Sequence, residues 1–173
     1  MQSLWTELLA ALRQPEYLHV LLHPLPIYGL AAGVLSLVLA VVFRNRGAQA
    51  IALVLIVLTA ASAWLVAHYG HAAYDRVYAM ANEAAQKWLN WHEHLAETIV
   101  WVYYAAAALA AVALTTLWKH PRLHRAALGL TLVAALMALG LGGFLAFVGG
   151  KIRHPEFRHG PPPAWAHTTP AED

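Results

Sequence analysis

The chain has 173 residues and no cysteine. Thiolate zinc sites, iron–sulfur clusters and covalently attached c-type haem are therefore excluded within it. Charge is scarce too. Lys, Arg, Asp and Glu supply 12% of the residues, about half the share of an ordinary soluble domain. The net charge is only +2, and the basic residues gather at the ends of apolar runs, so nucleic acid is not an expected partner. No Ser or Cys stands in a setting that would make it a nucleophile. The amino terminus lacks a basic stretch leading into a long apolar run, so no cleaved signal peptide is expected.

What the chain has in excess is apolar surface, with 60% hydrophobic residues and a mean hydropathy of +0.52. Residues 25–43, 48–67, 98–118 and 126–149 form four apolar runs. Each is long enough to cross about 30 Å of hydrocarbon. Pro24 and Pro26 suit the start of the first span, where a missing N–H costs little. Short turns at residues 44–47 and 119–125 make consecutive spans antiparallel neighbours. The expected fold is an all-α integral membrane protein, an up-down-up-down four-helix transmembrane bundle over residues 15–150. Residues 1–14 precede it as a short amphipathic interfacial helix. There Leu4, Trp5, Leu8, Leu9 and Leu12 share a face between Ser3 and Pro15. Residues 151–173 follow as a Pro-rich tail, ordered only where it lies on the bundle or on a partner.

Arg44 and Arg46 follow the first span, and Lys119, Arg122 and Arg125 follow the third. Short basic turns stay in the cytoplasm. Both termini and the segment between spans two and three then face the periplasm of a bacterial inner membrane. His19, His23, His68, His71, His92, His94, His154, His159 and His167 collect on that side. His120 and His124 lie on the other, where contact with lipid headgroups is expected. Trp5, Tyr17, Tyr28, Trp64, Tyr69, Trp88 and Trp91 read as an aromatic belt. Gly29, Gly33, Gly140, Gly142 and Gly143 are expected to let helices approach closely.

Eleven histidines are the anomaly. Ionisable groups near lipid usually have a partner or a role. If span two continues as a helix beyond the membrane, His68, His71 and Asp75 share a face, and Asp75 can orient His71. At the entry to span three, His92 and His94 point to nearly opposite sides, and the face of His92 continues through Ala96 into the bundle. His23 closes the group from a third helix. The candidate cofactor-binding residues are therefore His23, His68, His71 and His92, with His71 and His92 as the central metal ligands. Asp75, Glu93 and Trp91 are their expected supports.

Imidazoles without thiolates suit a b-type haem, or a copper or zinc ion. A di-iron centre would want more Glu-x-x-His patterns than the chain has. The expected function is a membrane-bound electron-transfer subunit, an electron carrier rather than a self-contained enzyme. It would link the quinone pool or a larger respiratory complex to a periplasmic cytochrome. A non-haem copper or zinc protein and a structural subunit of a homo- or hetero-oligomeric membrane complex are the alternatives.

The strings His23-Pro24-Leu25-Pro26-Ile27, Gly70-His71-Ala72-Ala73 and His92-Glu93-His94-Leu95-Ala96-Glu97 resemble an uncharacterised family of small bacterial four-helix membrane proteins. The resemblance covers roughly residues 20–145. Its members open with a His-Pro motif and carry a His-Glu motif before the third span, and some are fused to Rieske domains. That resemblance implies electron transfer and singles out His23 and His92. Relatives often carry acidic residues where this chain has His71 and Tyr74.

Overall fold

A computed structural model describes residues 3–164; His167 and Pro170 lie outside them. Helix α1 spans Leu4–Ala11, and the Ser3 side chain accepts from the Thr6 N–H at its start. Its apolar residues Leu4, Trp5, Leu8 and Leu9 are exposed. Four helices long and apolar enough to cross a membrane follow: α2 (Pro15–Val42), α3 (Arg46–Met80), α4 (Glu83–Thr116) and α5 (Pro121–Arg153). Asn45 and Asn82 cap α3 and α4 by accepting from the N–H groups of Ala48 and Ala85. Pro15 and Pro121 open α2 and α5, where their missing N–H groups are no loss. Ser62 marks a one-residue break in α3, and its hydroxyl donates to the Thr59 carbonyl at 2.6 Å.

Neighbouring helices alternate in direction, as the contacts along each hairpin show. On α2 and α3, Glu16 meets Arg76 near one end and Ala40 meets Gln49 at the other. On α4 and α5, Trp91 meets Phe144 and Ala113 meets His124. The α2–α3 and α4–α5 turns share an end that carries Arg44, Arg46, Lys119, Arg122 and Arg125, hereafter the basic end. Glu16, Asp75, Glu83, Glu93, Glu97 and Glu156 all belong to the opposite half, nearest the α3–α4 turn.

Small residues set the helix spacing. A Cβ on Gly29 would sit 2.5 Å from Thr59 Cγ2, and one on Gly33 would sit 2.8 Å from Ile56 Cγ1. These two glycines seat α2 on α3. Gly142 leaves room on α5 for the Tyr103 hydroxyl of α4, which a Cβ would strike. A Cβ on Gly140 or Gly143 would meet no neighbour within 4 Å among the described residues. Leu30, Leu37, Leu53 and Ile56 fill one half of the core, and Ala106, Ala110, Ala135 and Ala138 bring α4 and α5 together.

His124 is not a headgroup contact. It is buried at the basic end. Its Nδ1 lies 2.8 Å from the Ala113 carbonyl of α4, and its Nε2 lies 3.2 Å from Gln49 Oε1 of α3. Gln49 Nε2 in turn donates to the Ala40 carbonyl of α2 at 3.4 Å. One polar chain thus touches all four helices. Removing the imidazole leaves buried acceptors unpaired, at about 1–3 kcal/mol. His124→Ala is expected to lower the unfolding temperature in detergent clearly, whereas His120→Ala, at an exposed position, leaves it within a degree or two of wild type. Equal shifts for the two variants would show that this chain of bonds does not hold the basic end together.

Candidate functional site

The site begins with a proline. Helix α2 does not start at Pro24 but runs through it, with a π-turn at Leu25–Gly29. Pro24 has no N–H to offer the Val20 carbonyl four residues earlier. The His23 Nδ1–H takes that place, at 2.9 Å. One turn earlier on the same face, His19 Nδ1 donates across to the Val66 carbonyl of α3, also at 2.9 Å. Gly70 makes this approach possible, since a Cβ there would lie 2.9 Å from His19 Nδ1. Both imidazoles use Nδ1–H on a main-chain carbonyl. That fixes the tautomer in which Nε2 carries the lone pair.

His92 reaches the same place from α4. Its ring centroid is 6.5 Å from that of His19, with the ring planes at 86°. It rests against Gly149 of α5, where a Cβ would come within 3.0 Å of the ring. The Leu145 carbonyl faces this imidazole. Yet Nδ1 is buried and meets no hydrogen-bond acceptor among the described residues. His23 is near enough to interact electrostatically with both His19 and His92. Two imidazoles, from α2 and α4, therefore meet here, seated on glycines of α3 and α5, with His23 one turn further along α2.

The other expected ligands lie elsewhere. His68 is exposed, stacked on Trp64 at 5.5 Å and edge-on to Tyr69. The His71 side chain is 81% exposed, and its Nδ1 meets Glu93 Oε1 at 3.2 Å. Glu93, not Asp75, is thus its carboxylate partner, and Asp75 is exposed. Beside this pair the Tyr74 hydroxyl donates to Asn90 Oδ1 at 2.6 Å. The four side chains lace α3 to α4. Trp91 packs on Trp88 and edge-on to Phe144, on the α5 side of α4. His94 is exposed. His154 pairs with Glu156, whose carboxyl is held below its usual range by its own backbone N–H first and then by that imidazole.

Among the described residues, no group of three His, Cys, Asp or Glu side chains stands close enough to hold a metal ion as placed. The His19–His92 pair is the nearest this end comes to a shared ligand set, with two imidazoles from different helices. With metal–nitrogen bonds of about 2.0–2.1 Å, two imidazoles on one ion have ring centroids roughly 5–6 Å apart. The observed separation is 6.5 Å with the rings edge to face, so both would have to shift to bind one ion. The carbonyl-held Nδ1 atoms of His19 and His23, the buried Nδ1 of His92 and the two glycine seats mark this end as the candidate site. Its donors are nitrogen alone, which suits haem iron, copper or zinc better than magnesium or calcium.

His19 was the residue that sequence reasoning left out. The i, i+4 spacing of His19 and His23 signals a shared helix face, but only once the helix is known to begin at Pro15. The role of His23 yields a test. His23→Ala frees the Val20 carbonyl and is expected to cost about 1 kcal/mol. In a Pro24→Ala background the restored N–H can bond that carbonyl, so the same change should cost much less. Thermal unfolding of the four proteins gives the coupling, and strict additivity would remove this account of His23.

No protein-family model, curated protein or solved structure matches this chain.

Proposed function

We propose that this chain is a multi-pass protein of a bacterial inner membrane with both termini in the periplasm. Its proposed function is electron transfer, with a b-type haem held between His19 and His92. The observation that carries this reading is the pair of imidazoles that meet edge to face, 6.5 Å between ring centroids, across α2 and α4. His19 and His92 would hold it, replacing the expected set of His23, His68, His71 and His92. When bound, the haem supplies a reversible one-electron change. The protein's part is orientation and shielding. The Val66 carbonyl holds His19 in the ligating tautomer, and Gly70 and Gly149 keep the two rings in place.

Helix length supports the position at a membrane surface. Helices α3 to α5 have 33 to 35 residues, which rise about 50 Å at roughly 1.5 Å each. The hydrocarbon accounts for only about 30 Å. The overhang falls at the α3–α4 end, because the basic end turns directly after its apolar runs. The concentration of cations at that basic end supports its cytoplasmic placement. The imidazoles would then lie near the periplasmic headgroups, within reach of a periplasmic cytochrome or a larger respiratory complex. The resemblance to the small four-helix membrane family accords with this assignment.

A second reading has its own observation. His23 lies one turn from His19 on the same face of α2, and a third imidazole drawn in from there would suit copper or zinc. The absorption spectrum of the purified protein separates the two. The haem reading predicts a Soret band and reducible α and β bands. His19→Ala and His92→Ala should lose them at least tenfold, while His68→Ala and His71→Ala should retain them. A featureless visible spectrum with one copper or zinc per chain, lost in His23→Ala as well, would replace haem by the second reading. Neither signal would leave a structural subunit.

Topology is tested separately. Reporter fusions at Gly47 and at Asp173 are expected on opposite sides of the membrane, with Asp173 in the periplasm. A cytoplasmic carboxyl terminus would put the imidazoles on the other face and remove the periplasmic partner.

A further inference from the structure

A second feature of the α3–α4 end lacks a counterpart. Lys151, near the end of α5, is only 8% exposed. Its Nζ lies 4.3 Å from the Trp88 ring centroid and 4.4 Å from that of Phe147. Among the described residues, neither a carboxylate nor any hydrogen-bond acceptor reaches this ammonium. Arg158 does not change this, because its guanidinium donates to the Lys151 and Ile152 carbonyls and caps α5. An ammonium has three N–H donors and no acceptor. The side chain is largely covered but Nζ is not sealed off, and the ring contacts leave its donors open to an approaching group. The arrangement calls for an anion.

We propose that Lys151 binds the phosphate of an anionic membrane phospholipid. Phe147, exposed on α5, lies beside the ammonium, and Phe144 is exposed three residues earlier on the same helix, so a wall for acyl chains adjoins the charge. A zwitterionic headgroup brings its own cation, whereas an anionic one leaves the phosphate charge to Lys151. The inference rests on the membrane reading above and is independent of the cofactor.

The test is native mass spectrometry after reconstitution in nanodiscs of equal phosphatidylglycerol and phosphatidylcholine. Wild type is expected to keep one phosphatidylglycerol per chain under activation that strips the rest. Lys151→Gln should lower that retention at least tenfold, while Lys151→Arg preserves it, with the helicity of each variant checked by circular dichroism. Phe147→Ala, which keeps the charge, should weaken retention to a smaller degree. Unchanged retention in Lys151→Gln would overturn the proposal, as would loss in Lys151→Arg. Displacement by millimolar inorganic phosphate would show a free-anion site instead and overturn the lipid assignment. Failure of wild type to enter nanodiscs would overturn the membrane reading on which the proposal stands.

Discussion

An imidazole Nδ1–H given to a helix carbonyl recurs at His19, His23 and His124. In an apolar bundle a carbonyl without a partner is costly, and the main chain normally supplies every partner itself. Here side chains enter that system. His23 repairs a ladder that Pro24 breaks. His19 fastens α2 to α3, and His124 fastens α5 to α4. Each bond also settles which nitrogen is left over. The same interaction that pays the structural debt of the helix thus leaves Nε2 as the free nitrogen of His19 and His23.

Much of the fold was legible in sequence, because apolar length and turn chemistry speak directly. The four helices, their alternating order, the continuation of α3 past the apolar run and the close seats of Gly29 and Gly33 follow from such signals. Rotation was less legible. Gly140, Gly142 and Gly143 have the same local character, but only Gly142 faces a neighbour. What decides is the position of Tyr103 on another helix. His124 gave the same difficulty. Its flanking cations suggested a surface, while Gln49, 75 residues away in sequence, makes it a buried bridge.

The site was legible in part. Helical spacing turned His92 to the bundle and His94 outward, as the structure has them. His71 found a carboxylate, but across to Glu93 rather than within its own helix at Asp75. A helix-internal spacing cannot reveal a cross-helix partner of equal chemistry. The omission of His19 has a single cause, the treatment of Pro24 and Pro26 as a helix start. Proline usually marks such a boundary. In α2 the π-turn and the His23 bond carry the helix through both prolines, so that eight more residues precede them in helical form.

That passage through two prolines divides α2 mechanically. The arm Pro15–Leu22 carries His19 and lies against α3, whereas His92 stands on α4 and leans on α5. Between the arm and the rest of its own helix, the ladder lacks the donors that Pro24 and Pro26 cannot give. The spacing of the two imidazoles is therefore not fixed by any one rigid rod. It is the reading of a caliper whose jaws belong to different helix pairs. The His19 bond to Val66 and the Glu16–Arg76 pair hold one jaw to α3, so the gap between the jaws is set by how α3 docks on α4 rather than by Leu30, Leu37 or the core beneath them.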